Sequence, residues 1–208
     1  MLVRSLATLA AALLLTAPTV VAQDAADRTP LQPGARALTF GANPTAGLTG
    51  LDGGTIGVKW HSSEARAVRL GLTVAVQAQA ETGGEGGFDR QSVLAEASVV
   101  PLRYARSRTP VYFYYGVGPL ASVRLDRQNI DREPEDSTRY IADVGAGALG
   151  VVGVEWPVTS FLSLTGEYGA SLTATYSRLS AGEGSLDRNL VGIGLLPRGG
   201  RAGVAVYF

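Results

Sequence analysis

The chain has 208 residues, with 18 Lys and Arg balanced against 18 Asp and Glu, and no cysteine. Balanced charge offers no basic face for nucleic acid, and the missing thiols exclude a disulfide framework, a thiolate metal site and an acylated N-terminal cysteine. Beyond the first 22 residues no apolar run reaches the roughly 18 residues of a membrane-spanning helix.

The chain opens on "MLVRSLATLAAALLLTAPTVVAQ". Arg4 precedes an apolar run from Leu6 to Leu15, and Val20 and Ala22 fit the small-residue positions of a secretory cleavage site. The run is too short for an anchor, so residues 1–22 are expected to be a cleaved signal peptide. Residues 23–35 then form a short N-terminal segment before one domain, 36–208.

That domain alternates. In "RAVRLGLTVAVQAQA" (66–80), Val68, Leu70, Leu72, Val74 and Val76 share one face, and Arg69, Gly71, Thr73, Ala75 and Gln77 the other. Only a period of two separates residues this way, so the segment is a strand. The same parity runs through 161–177, with Leu164, Tyr168 and Leu172 opposite Thr165, Glu167 and Thr173. Strands of soluble sheets average about five or six residues. These exceed ten, the length that crosses a bilayer at a tilt. The pattern predicts about eight strands, at 36–43, 53–61, 66–80, 90–104, 110–124, 138–156, 160–177 and 189–208.

Connections near 62–65, 105–109 and 157–160 are short, whereas those near 44–52, 81–89, 126–137 and 178–188 are long, polar and Gly-rich. Short turns on one side and long loops on the other are the habit of an outer-membrane barrel, with the short turns periplasmic. The strands that run inward end near Trp60, Tyr104, Trp156 and Phe208. These four rings are expected to form the periplasmic aromatic girdle, with Phe208 completing the wall.

The segments "IGVKWHSSEARAVRLGLTVAV", "TPVYFYYGVGPLASV" and "GVEWPVTSFLSLTGEYGASL", with the terminal "VAVYF", resemble the small eight-stranded outer-membrane β-barrels of Gram-negative bacteria, the OmpA-like and OmpX-like class. The resemblance covers nearly all of 36–208. It implies an all-β, closed antiparallel transmembrane barrel in meander order. Its members range from adhesion and envelope stability to small pores. It also implies that the terminal aromatic strand, with Phe208, is read by the barrel-assembly machinery. Outer-membrane lipid and lipopolysaccharide are then the surroundings, and the chain is expected as a monomer without cofactor. The chain is expected to lack the peptidoglycan-binding domain of the two-domain members.

The other parity faces the lumen and collects Lys59, Arg69, Glu96, Asp143, Glu155, Glu167 and Arg201. Eight strands enclose a space that side chains just fill, and an isolated buried charge costs several kcal/mol. Glu96, Glu155 and Glu167 are therefore expected to pair with Lys59, Arg69 and Arg201 as a polar plug, or as a narrow ion-conducting gate made of the same pairs. Parity does not say which carboxylate meets which cation.

Catalysis finds little support. The single His61 stands beside Ser62 and Ser63 at the inner rim, Glu155 and Glu167 lack a sugar cleft, and "GAGALG" (145–150) continues a strand rather than opening a helix. No catalytic, cofactor or metal residue is assigned. The loop 126–138 carries Asp126, Asp131, Glu133, Glu135 and Asp136 against Arg127 and Arg132, and is expected to keep the outer rim polar, with recruitment of divalent cations or a basic partner as the alternative. Two other classes compete with a non-enzymatic barrel. A secreted lipocalin-like barrel needs an apolar lumen, and an outer-membrane lipid-modifying enzyme needs a reactive group on the lipid face.

Overall fold

The alternating segments become eight strands among the described residues: β1 (Arg36–Ala42), β2 (Gly54–Ser63), β3 (Arg66–Glu81), β4 (Gly87–Ala105), β5 (Tyr112–Asp131), β6 (Ser137–Pro157), β7 (Leu162–Ala181) and β8 (Arg188–Tyr207). The computed structural model describes residues 31–42, 54–81, 87–105, 110–131, 137–181 and 188–208. The expected signal peptide and the loop residues 132–136 lie outside these.

Each strand pairs antiparallel with the next, and β1 closes on β8 from Ala37↔Tyr207 to Ala42↔Ala202. The ladders climb as they go round. Starting at Thr39, the partners run through Gly57, Gly71, Ser98, Leu120, Gly147 and Thr173 to Gly194. That is eleven positions before Ala205, to which Thr39 itself pairs. One of the eleven is an extra residue in β8, where Gly169 faces Gly199 but Ala170 faces Pro197. Such a stagger tilts the strands about 40° to the axis.

Burial is inverted relative to a soluble domain. Lys59, Glu96 and Glu155 are at most 4% exposed, whereas Leu72 (47%), Val117 (66%) and Leu195 (72%) lie open on the outer wall. The interior holds these charges beside an apolar cluster with Val100, Leu102, Leu120, Leu149 and Val151. The apolar outer wall suits a hydrocarbon surround, because only apolar side chains are stable against lipid.

Two glycines mark where the wall creases. A Cβ on Gly118 would meet the Val99 carbonyl oxygen, and one on Gly147 the Leu172 carbonyl oxygen. The first crease lies where the β4–β5 ladder lapses, between Ser98↔Leu120 and Leu102↔Gly116. Pro101 and Pro119 stand in that gap, and neither has an N–H to give to a ladder.

Three sequence expectations change. Tyr104 is not part of the outer girdle: it is 8% exposed and faces the lumen. The reason is parity, since Glu96 and Tyr104 are eight residues apart on one strand and must share a face. Trp60, Trp156 and Phe208 do face outward, and Phe113 and Phe161 join them at the same rim, all five between 41% and 54% exposed. Second, β5 continues to Asp131, so Asp126 belongs to the strand rather than to the loop, and at 5% exposure it points inward. Third, strand bounds shift: β4 starts at Gly87, three residues before the expected start, and β7 continues to Ala181, four beyond its expected end.

The facing is testable on adjacent residues. Leu72→Arg places a charge on the lipid side and is expected to lose about 2–4 kcal/mol of folding stability in bilayers. Thr73→Arg enters the lumen directly across the ladder from Glu96, and is expected to lose clearly less. Equal losses in urea unfolding from vesicles would reject the assignment of faces.

Candidate functional site: ion pairs across the lumen

The deepest carboxylate is Glu155, two residues from the end of β6 and fully buried. Lys59 Nζ lies 2.8 and 2.6 Å from its two oxygens. Tyr104 donates its hydroxyl to Oε2 at 2.9 Å, and Tyr207 donates to Oε1 at 2.5 Å. Lys59 also donates to the Tyr104 hydroxyl at 3.3 Å and stands 5.0 Å from the centre of the Tyr207 ring. A carboxylate with one cation and two hydroxyl donors has its lone pairs filled, which is what burying it requires.

The second tier is Glu167, five residues into β7. Arg69 grips it with both terminal nitrogens, at 2.5 and 3.1 Å, and Tyr114 donates a hydroxyl at 3.1 Å. The forked guanidinium matches the carboxylate, so the pair is directional as well as attractive. Tyr114 also packs 5.4 Å from Tyr104, joining the two tiers. Arg201 lies directly across the β7–β8 ladder from Glu167 and lines a small pocket with Arg69, Thr39, Thr55 and Thr165.

The third tier joins Glu96 of β4 to Arg198 of β8 at 2.5 Å, with Arg198 Nε donating to Ser171 at 2.9 Å. Arg198 is hidden from a reading by parity. Counting back from Ala205 and Gly203 by twos passes through Arg201 and misses residue 198. The extra residue of β8 reverses the faces beyond it, and Gly199, with φ of 70°, sits in the turn of backbone that does so. The signal in the sequence is the breaker cluster Pro197-Arg198-Gly199-Gly200.

The three pairs share one geometry. They join β2 to β6, β3 to β7 and β4 to β8, in each case four strands apart in a ring of eight. Each therefore spans the full bore, and each is turned one strand from the last. Towards the far mouth a fourth cluster stays on one side: Asp126 binds Arg90 at 2.9 Å and Arg124 at 3.2 Å. Asp143 faces Arg124 across the β5–β6 ladder, and its Oδ1 is buried without a hydrogen-bond partner among the described residues.

Of the expected lumenal groups, the structure joins Lys59 with Glu155 and Arg69 with Glu167. Glu96 meets Arg198 rather than Lys59, Arg69 or Arg201. His61 lies inside the wall at 2% exposure, 5.2 Å from the Tyr104 ring. Its backbone N–H donates to Ala35 and its carbonyl accepts from Gly34, both in the segment before β1. Nothing in its pattern marks that segment as touching the lumen. Leu31 is 3% exposed and packs in one cluster with Ala67, Leu102, Tyr104 and Tyr114. The turn that carries it is closed by Ala35 N–H donating to the Gln32 carbonyl, with Gly34 at φ 85°.

Two outcomes follow. Glu155→Gln leaves Lys59 buried with half its partner, and is expected to lower stability by about 3–5 kcal/mol; a change no larger than that of the exposed Glu64→Gln in urea titrations would contradict a buried pair. Leu31→Gly is expected to raise the labelling rate of Ala67→Cys, the sole thiol in such a variant, by a membrane-impermeant maleimide at least tenfold. An unchanged rate would mean that Leu31 does not cover Ala67.

No family model matches the sequence, and no curated protein matches it. Among solved structures the fold is similar to a major outer membrane protein from Thermus thermophilus, with a TM-score of 0.56 and 17% identity over 84% of this chain and 99% of that one. Similarity extends at TM-score 0.47 and 13% identity to CarO of Acinetobacter baumannii, over 87% of this chain and all of that one. It reaches Ail, the attachment invasion locus protein of Yersinia pestis, at TM-score 0.42 and 10% identity, over 85% of this chain and all of that one. The fold is that of the small eight-stranded outer-membrane β-barrels.

Proposed function

We propose that the chain is a non-enzymatic outer-membrane barrel whose lumen is braced shut, and that it serves the envelope through its wall and outer surface rather than by passing solutes. The observation that carries this reading is the set of three ion pairs that cross the bore in succession. A passage for solute needs a continuous wet path, and each pair lies across it. The exposed apolar wall and a lumen filled by ion pairs and buried side chains argue against a secreted lipocalin-like binder, which needs a polar exterior and an open apolar lumen. Glu155 and Glu167 hold separate cations in separate tiers, which leaves no carboxylate pair for hydrolysis.

In this reading Trp60, Phe113, Trp156, Phe161 and Phe208 sit at the periplasmic headgroups, and outer-membrane lipid with lipopolysaccharide surrounds the wall. Phe208 at the rim belongs to the strand offered to the barrel-assembly machinery, and the barrel works as a monomer.

In planar bilayers the wild type is expected to pass only small, infrequent currents, and Glu167→Gln to open more often because Arg69 loses its anchor. Large, steady conductance from the wild type would overturn the closed lumen. Recovery of the protein from the soluble periplasm on fractionation would overturn the membrane placement itself.

A further inference from the structure

On the outer wall near the short-turn rim, two arginines face each other. Arg66 at the start of β3 and Arg103 near the end of β4 are direct partners in the ladder, and both are exposed. Like charges placed directly opposite on one face of a sheet repel. Neither guanidinium has a carboxylate within ion-pairing distance among the described residues; Glu64, in the β2–β3 turn, is exposed and does not bridge to either.

Their surroundings are aromatic. Arg103 is the ladder partner of Tyr115, 55% exposed, and Ala105, next on the outer face of β4, is the partner of Phe113, 53% exposed. On the other flank, Trp60 (41% exposed) pairs with Val68, the next outward residue after Arg66. Amphipathic rings settle at the level of lipid headgroups, so the two cations are held at that level. They sit below the apolar run of Leu70, Leu72, Val74 and Val76.

Taking the membrane placement proposed above, we infer that Arg66 and Arg103 form a docking site for the phosphate of an anionic phospholipid headgroup in the periplasmic leaflet. The headgroup phosphate lies between the two guanidinium groups and relieves their repulsion, while the acyl chains run along Leu70 and Leu72. Guanidinium forks suit phosphate, since each offers two parallel N–H donors.

The test compares wild type with the double variant Arg66→Gln/Arg103→Gln. Both positions are exposed on the wall and outside the lumenal pairs, so the barrel is expected to fold. Each protein is reconstituted into vesicles of phosphatidylcholine containing a minor share of phosphatidylglycerol, and lipid retained on the protein is measured by native mass spectrometry. Wild type is expected to prefer phosphatidylglycerol over phosphatidylcholine by roughly thirtyfold, from two cations near the surface. The variant is expected to lose most of that preference, and raised salt to reduce it in the wild type.

Equal preference in both proteins would overturn the inference while leaving the barrel in the membrane. Failure of either protein to insert while the other inserts, or of both to insert, would overturn it too, and in the second case the membrane placement with it. In detergent micelles, inorganic phosphate displacing the retained phosphatidylglycerol at low millimolar concentration would assign the site to free anion instead of lipid and so reject it.

Discussion

In the narrow middle of this eight-stranded barrel, buried charges meet their partners across the bore. The wall is one backbone thick, its outer face is apolar, and the bore is about as wide as two long side chains meeting end to end. A lumenal carboxylate therefore finds its cation across the bore, or on its own side as Asp126 does with Arg90 and Arg124, or bears the several kcal/mol of an unpaired buried ion. Lys59–Glu155, Arg69–Glu167 and Arg198–Glu96 each do this. The rest of the interior is arranged around them: Tyr104, Tyr114, Tyr207 and Ser171 supply the remaining hydrogen bonds, and glycines such as Gly118 and Gly147 let the wall close in.

The stagger of the sheet turns this requirement into a pattern. Because every ladder climbs as it passes round the ring, residues half a turn apart meet at different heights for different strand pairs. The result is a set of braces that rise while rotating by one strand each. They link opposite walls of the barrel. The segment before β1 packs in as well: Leu31 joins the buried cluster that holds Tyr104, and the backbone of His61 bonds to Gly34 and Ala35.

Much of this is legible in the sequence, and the failures have physical reasons. Strand count, order and facing follow from a period of two that runs past ten residues in six of the eight strands, as an apolar wall without polar interruption requires. The inward set from Lys59 to Glu167 follows from the same rule. Tyr104 misleads because an aromatic at a strand end suggests a girdle, although its parity with Glu96 already sets it inside. Arg198 escapes because one extra residue in β8 reverses every face beyond it, and only Pro197, Gly199 and Gly200 hint at that. Partner choice depends on register across four strands, which no local pattern encodes. Leu31 carries no signal, since a lone apolar residue between prolines reads as linker.

Charges that meet across the bore brace the lumen, and the pair that depends on the β8 irregularity is the most direct test of that bracing. A double-mutant cycle of Arg198→Met with Glu96→Leu, read by urea unfolding from vesicles, is predicted to give a coupling energy of about 1–3 kcal/mol, with the double variant more stable than the sum of the single losses allows. Additive effects, with no coupling beyond about 0.3 kcal/mol, would show that Arg198 and Glu96 do not meet, and the braced lumen would fall with them.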